Sequence, residues 1–92
     1  MTQQEIDDQL ELLRLKELFM SDIKIRSKMA ILLSEECAAE VPPYQEFCEL
    51  THCTPEIAKM FTEISIYDVI LTRKEIAAER KRLERMKYDT LQ

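Results

Sequence analysis

Cys37, Cys48, His52 and Cys53 fall within seventeen residues and are the whole Cys and His complement of a 92-residue chain. Three thiolates and an imidazole suffice for tetrahedral zinc. The spacing argues against that use. There is no C-x₂-C knuckle, and His52 and Cys53 are adjacent, so one of them would have to turn sharply to share an ion with the other. Cysteines on helix faces ordinarily pack as small hydrophobes. No metal and no cofactor are therefore expected, with zinc on Cys37, Cys48, His52 and Cys53 as the weaker alternative. Cys48 and His52 are four apart and share a face if a helix reaches that far, which suggests nucleophilic catalysis. That chemistry also needs an oxyanion site and a cleft, and a small helical chain without glycine supplies neither obviously. Neighbouring carboxylates such as Asp7-Asp8 and Glu35-Glu36 diverge on a helix and point to solvent. An enzyme is not expected.

Charge is unevenly laid out. The formal net charge is −5, yet residues 1–72 carry six cations against fourteen acids, while residues 73–87 carry seven cations against three acids. The seven are Arg73, Lys74, Arg80, Lys81, Arg82, Arg85 and Lys87. A solvated helix end accounts for them in part, because cations favour the negative end of a helix dipole. A docking helix for an acidic protein surface or for nucleic acid accounts for them equally well, since phosphate binding needs little more than clustered Lys and Arg. No Trp or Phe lies among these cations, so a membrane partner is not expected.

The elements that must position these residues are helices. Glycine is absent, proline occurs three times, and apolar residues make up 46% and charged residues 34% of the chain. Lack of glycine excludes phosphate-cradling loops and disfavours tight hairpins. Thr2-Gln3-Gln4-Glu5 reads as a capping box that starts a helix near Gln3. Ile6, Leu10 and Leu13 form one apolar stripe on it, and Leu12, Leu15 and Phe19 form a second. Ser21-Asp22 offers a cap for a second helix, although one long bent helix fits residues 3–39 nearly as well. Val41-Pro42-Pro43 stops helicity at about Glu40, and Pro43 suits the first turn of the next helix. Thr54-Pro55-Glu56 is the strongest start signal, combining an N-cap, an N1 proline and a first-turn acid. Thr72-Arg73-Lys74-Glu75 repeats the capping box.

The fold expected is all-α, one domain of four or five helices. It divides into an N-terminal segment 1–40, a helix-turn-helix-like pair over 43–64, and a charged C-terminal helix over 66–90. Tyr44 to Ile64 has the outline of a helix-turn-helix, but the usual turn glycine falls at or near His52. The face opposite Ile57, Phe61 and Ile64 presents Glu56 and Glu63 for one Lys59, which is wrong for a helix beside phosphates.

Function follows by exclusion. The residues point to a non-enzymatic protein-interaction module in a reducing compartment, cytoplasmic or nuclear, because the odd cysteine count cannot pair within one chain and the polar, acidic N-terminus is no signal peptide. The partner expected is another protein or a second copy of the chain. The contact residues expected are Leu12, Leu15 and Phe19, on the stripe a small domain would leave open, and the seven cations of residues 73–87. A nucleic-acid-associated accessory factor using those cations is the alternative. Circular dichroism should show a helical spectrum without a strand component; a substantial strand signal would overturn every segment assigned above.

Overall fold

The computed structural model describes residues 1–39 and 43–91. Thr2 opens α1 (Gln3–Ser21): its hydroxyl accepts the Glu5 N–H at 3.2 Å while its own N–H donates to the Glu5 carboxylate at 3.4 Å. Asp22 leaves the helical path, and its carboxylate accepts the N–H groups of Lys24 at 2.6 Å and Ile25 at 3.4 Å, starting α2 (Ile23–Ala38). Arg26 then reaches back across the break, its Nε donating to the Phe19 carbonyl at 3.0 Å. Residues 3–38 are therefore two helices, separated by one capping residue. α2 ends at Ala38, close to the stop expected at about Glu40; Val41 and Pro42 of the Val41-Pro42-Pro43 signal, and Glu40 itself, lie outside the described residues.

α3 (Gln45–Thr51) does not take Pro43 into its first turn. Tyr44 precedes it with φ 51°, a left-handed backbone, and the Glu36 side chain of α2 accepts the Glu46 N–H at 2.9 Å. α4 (Pro55–Thr62) starts as its signal predicts, with the Thr54 hydroxyl accepting the Ile57 N–H at 3.3 Å. The segment expected as one charged helix over 66–90 is divided. Ser65 caps a single turn, α5 (Ile66–Val69), and Thr72 and Glu75 close a second capping box that opens α6 (Arg73–Leu91). The fold is all-α: among the described residues there is no strand, and the two extra breaks make six helices where four or five were expected.

α1 is covered from two sides. Ile6 and Leu13 pack with Ile76 and Leu83 of α6, supported by Leu10 and Met86. The two helices run antiparallel, so Asp7 near the start of α1 meets Lys87 near the end of α6 at 2.7 Å, and Glu17 meets Arg80. On the other side Leu12 and Leu15 join Met29, Phe47, Ile57 and Phe61 in a second cluster. Phe61 links its helices, with ring centroids 6.1 Å from Phe47 and 6.4 Å from Phe19.

This corrects the expectation that Leu12 and Leu15 face a partner. Both are buried, because α2, α3 and α4 fold back over the stripe that a small domain was expected to leave open. Two outcomes follow for chemical denaturation followed by circular dichroism. Phe61→Ala should cost about 3–5 kcal/mol, the range for removing a buried ring. Leu12→Glu with Leu15→Glu should abolish the folded baseline, since two carboxylates cannot be buried unpaired; a cooperative melt near that of the parent chain would show that this cluster is not the core.

Candidate interaction site

Where the structure places the seven cations decides what each can do. Arg80 and Lys87 turn inward and pair with Glu17 and Asp7 of α1, while Arg82 pairs with Glu79 on its own helix at 2.5 Å. That hydrogen-bonded pair holds the Glu79 carboxyl below the usual carboxylate range. These three were expected to face a partner, and they are engaged within the chain instead. Arg73, Lys74, Lys81 and Arg85 are not in an ion pair among the described residues. Lys74, Lys81 and Arg85, spaced by seven and four, line one face of α6 opposite the buried Ile76 and Leu83, since residues at these spacings stack along a helix.

α2 shows the opposite composition. Met29 and Leu32 point to the core, and the exposed crest carries Ile23, Ser27 and Ile31 at every fourth position beside Ala30, Ser34 and Ala38. None of the six is charged. Ile23 is 70% exposed and Ile31 57% exposed. Lys24 and Lys28 run along one flank of this crest, without ion-pair partners among the described residues. Along its other flank a groove of about 360 Å³ opens between α2 and the α4–α5 corner. Phe19, Leu33, Phe61, Ile64, Ile66 and Val69 line most of it, and no charged side chain contributes. Of the expected apolar contact residues, Phe19 lines this groove. Ile66 of this groove is exposed, as are Tyr67 of α5 and Ile70 just after it.

Sequence reasoning missed this surface. The absence of charge over Ile23, Ser27, Ala30, Ile31, Ser34 and Ala38, which share one helix face, is the signal in the sequence that points to it. Arg14 was missed as well. Its guanidinium donates to the Thr51 carbonyl at 2.8 Å, the His52 carbonyl at 3.2 Å and the Glu11 carboxylate, pinning the end of α3 to α1. The Glu11 hydrogen bond raises the Arg14 pKa further above its usual range.

Cys37, Cys48, His52 and Cys53 do not converge on one point. Cys37 is exposed, 4.0 Å from the Tyr44 hydroxyl, whereas Cys48 and Cys53 lie 3.9 Å apart and His52 is exposed at the end of α3. Among the described residues no group of three or more His, Cys, Asp or Glu is arranged to hold a metal ion. The four-ligand zinc alternative is corrected accordingly: the helix ends splay its donors. No described helix is long and apolar enough to cross a membrane.

Comparison with protein-family models, with curated proteins and with solved structures finds no match to this chain. Its function has to be read from its own surface.

Burial, the neighbouring Cys53 thiol and the Glu36 and Glu56 carboxylates push the Cys48 thiol up to about 12. Alkylation proceeds through the thiolate. Iodoacetamide at pH 8 should therefore modify exposed Cys37 well before Cys48 in the folded chain, with the sites read by fragment-ion mass spectrometry; equal rates would show that Cys48 is not desolvated.

Proposed function

We propose that this chain is a non-enzymatic protein-interaction module of a reducing, intracellular compartment. The observation that carries the reading is the uncharged crest of α2 continuous with the apolar groove beside it. An exposed helix position accepts a charge at almost no cost, and contiguous exposed apolar surface on a small protein ordinarily marks a contact site. The occupant is the apolar face of an amphipathic helix from another protein. Such a helix sets apolar anchors at turns into a groove of this kind, and an acidic flank on it would meet the unpaired Lys24 and Lys28. Water leaves the groove when it fills, so affinity comes from apolar burial and the lysines add orientation and rate.

The cationic face of α6 supports a second reading, nucleic-acid association through Lys74, Lys81 and Arg85. The remaining surface of an acidic chain opposes it by repelling phosphate.

One set of measurements separates the two. Ile23→Glu with Ile31→Glu changes only exposed positions, so the helical spectrum and melting temperature should stay within a few degrees of the parent. Co-purified partner should fall by at least about tenfold, roughly 1.4 kcal/mol, and this loss should depend little on salt. Lys74→Glu, Lys81→Glu and Arg85→Glu together should leave that partner bound. If the α6 variant alone loses binding, and duplex DNA binding by the parent falls steeply with salt, the nucleic-acid reading replaces the first. If sedimentation shows the isoleucine variant converting a dimer to a monomer, the occupant is a second copy.

A further inference from the structure

Cys48 and Cys53 are brought together by the way α3 ends. His52 takes a left-handed backbone, φ 56°, and its N–H donates to the Cys48 carbonyl at 2.7 Å. That turn carries the next residue back over the last turn of the helix, setting the Cys53 sulfur 3.9 Å from that of Cys48. Bonded sulfurs lie about 2.05 Å apart, so under 2 Å separates the pair from covalent contact. We propose that Cys48 and Cys53 form a modification site, oxidised by a peroxide to an intramolecular disulfide.

The surroundings differ at the two sulfurs. The Thr51 hydroxyl lies 3.1 Å from the Cys53 sulfur, and the Arg14 guanidinium sits on the two carbonyls just before it. Cys48 is desolvated, faces Glu36 and Glu56, and holds its proton up to about 12. Burial disfavours the Cys48 thiolate, which is the nucleophilic form, so the peroxide is assigned to Cys53, beside the Thr51 hydroxyl. Its sulfur attacks one peroxide oxygen, the O–O bond breaks, and the departing hydroxide leaves Cys53 as a sulfenic acid. The Cys48 sulfur then attacks the Cys53 sulfur. Hydroxide from the first step takes the Cys48 proton as water, so that the attacking sulfur is a thiolate. The S–S bond forms, the S–O bond breaks, and the second hydroxide leaves as water with the proton that Cys53 gave up. Two thiols and one hydrogen peroxide become one disulfide and two waters. Cys37 is not part of the pair: it is exposed at the end of α2, 4.0 Å from the Tyr44 hydroxyl.

The test uses the full chain carrying Cys37→Ser, exposed to stoichiometric hydrogen peroxide and then denatured with excess iodoacetamide. The expected product is a monomer lighter by two hydrogens that takes up no alkyl group and recovers both sites after reduction. Wild type treated identically should be alkylated at Cys37 alone, which keeps the result readable if the variant folds poorly. Added oxygen at either sulfur as the main product, a cross-linked dimer, or alkylation of both Cys48 and Cys53 after oxidation would each overturn the proposal.

Discussion

α1 is the shared wall of two apolar clusters, and this double coverage is the constraint on which the other elements depend. A helix with Ile6, Leu10 and Leu13 on one stripe and Leu12, Leu15 and Phe19 on another cannot hide both against a single neighbour. Burial of each large aliphatic side chain stabilises by roughly 1.5–3 kcal/mol, a sizeable part of a small domain's total. α6 is long enough to run back along α1, and it covers the first stripe over a distance that puts Lys87 beside Asp7. α2, α3 and α4 cover the second. The antiparallel pairing also explains why acids on α1 and cations on α6 meet, although half-exposed pairs of this sort contribute little to stability. Their role is register, with apolar packing supplying the energy.

A chain with no glycine has to end its helices by other means. At the end of α1, Arg26 of the next helix places its guanidinium on the Phe19 carbonyl. At the end of α3, Arg14 holds the Thr51 and His52 carbonyls from α1. A cation at a helix C-terminus satisfies orphan carbonyls and opposes the dipole at once. His52 does the backbone work that glycine would otherwise do, and a left-handed residue with a side chain costs on the order of 1–2 kcal/mol. The cost is offset because the same turn directs its N–H to Cys48 and delivers two carbonyls to Arg14. The thiol pair is a by-product of that geometry.

Legibility in the sequence followed the range of the interaction. The caps at Thr2, Thr54 and Thr72 were readable because donor and acceptor lie within three residues of each other. The cap at Asp22 was readable for the same reason, its carboxylate accepting N–H groups two and three residues on, but one bent helix fitted nearly as well because no Pro or Gly enforces the break. The coverage of Leu12 and Leu15 was not readable, because periodicity shows that a face is apolar without showing what lies against it. Arg14 bonds carbonyls thirty-seven and thirty-eight residues away, and nothing near it in the chain announces that. On α6 the spacing of Lys74, Lys81 and Arg85 was legible, whereas the inward pairing of Arg80 and Lys87 needed the partner helix.

Charge placement separates the two surfaces that remain. On α6 the outward face keeps cations at Lys74, Lys81 and Arg85, where water stabilises them and no neighbouring chain is required. On α2 the outward face keeps Ile23 and Ile31 where a third of the chain's residues are charged and where a lysine or glutamate would fit the helix equally well. Solubility would be served by charge at those positions, and folding does not need isoleucine there, because Met29 and Leu32 already anchor α2 from its other side. An apolar crest beside an uncharged groove therefore has no explanation inside the domain. On the reading proposed above, a partner helix covering both would remove the exposure, and the bulk of its binding energy would come from the same kind of apolar burial that holds α1 in place.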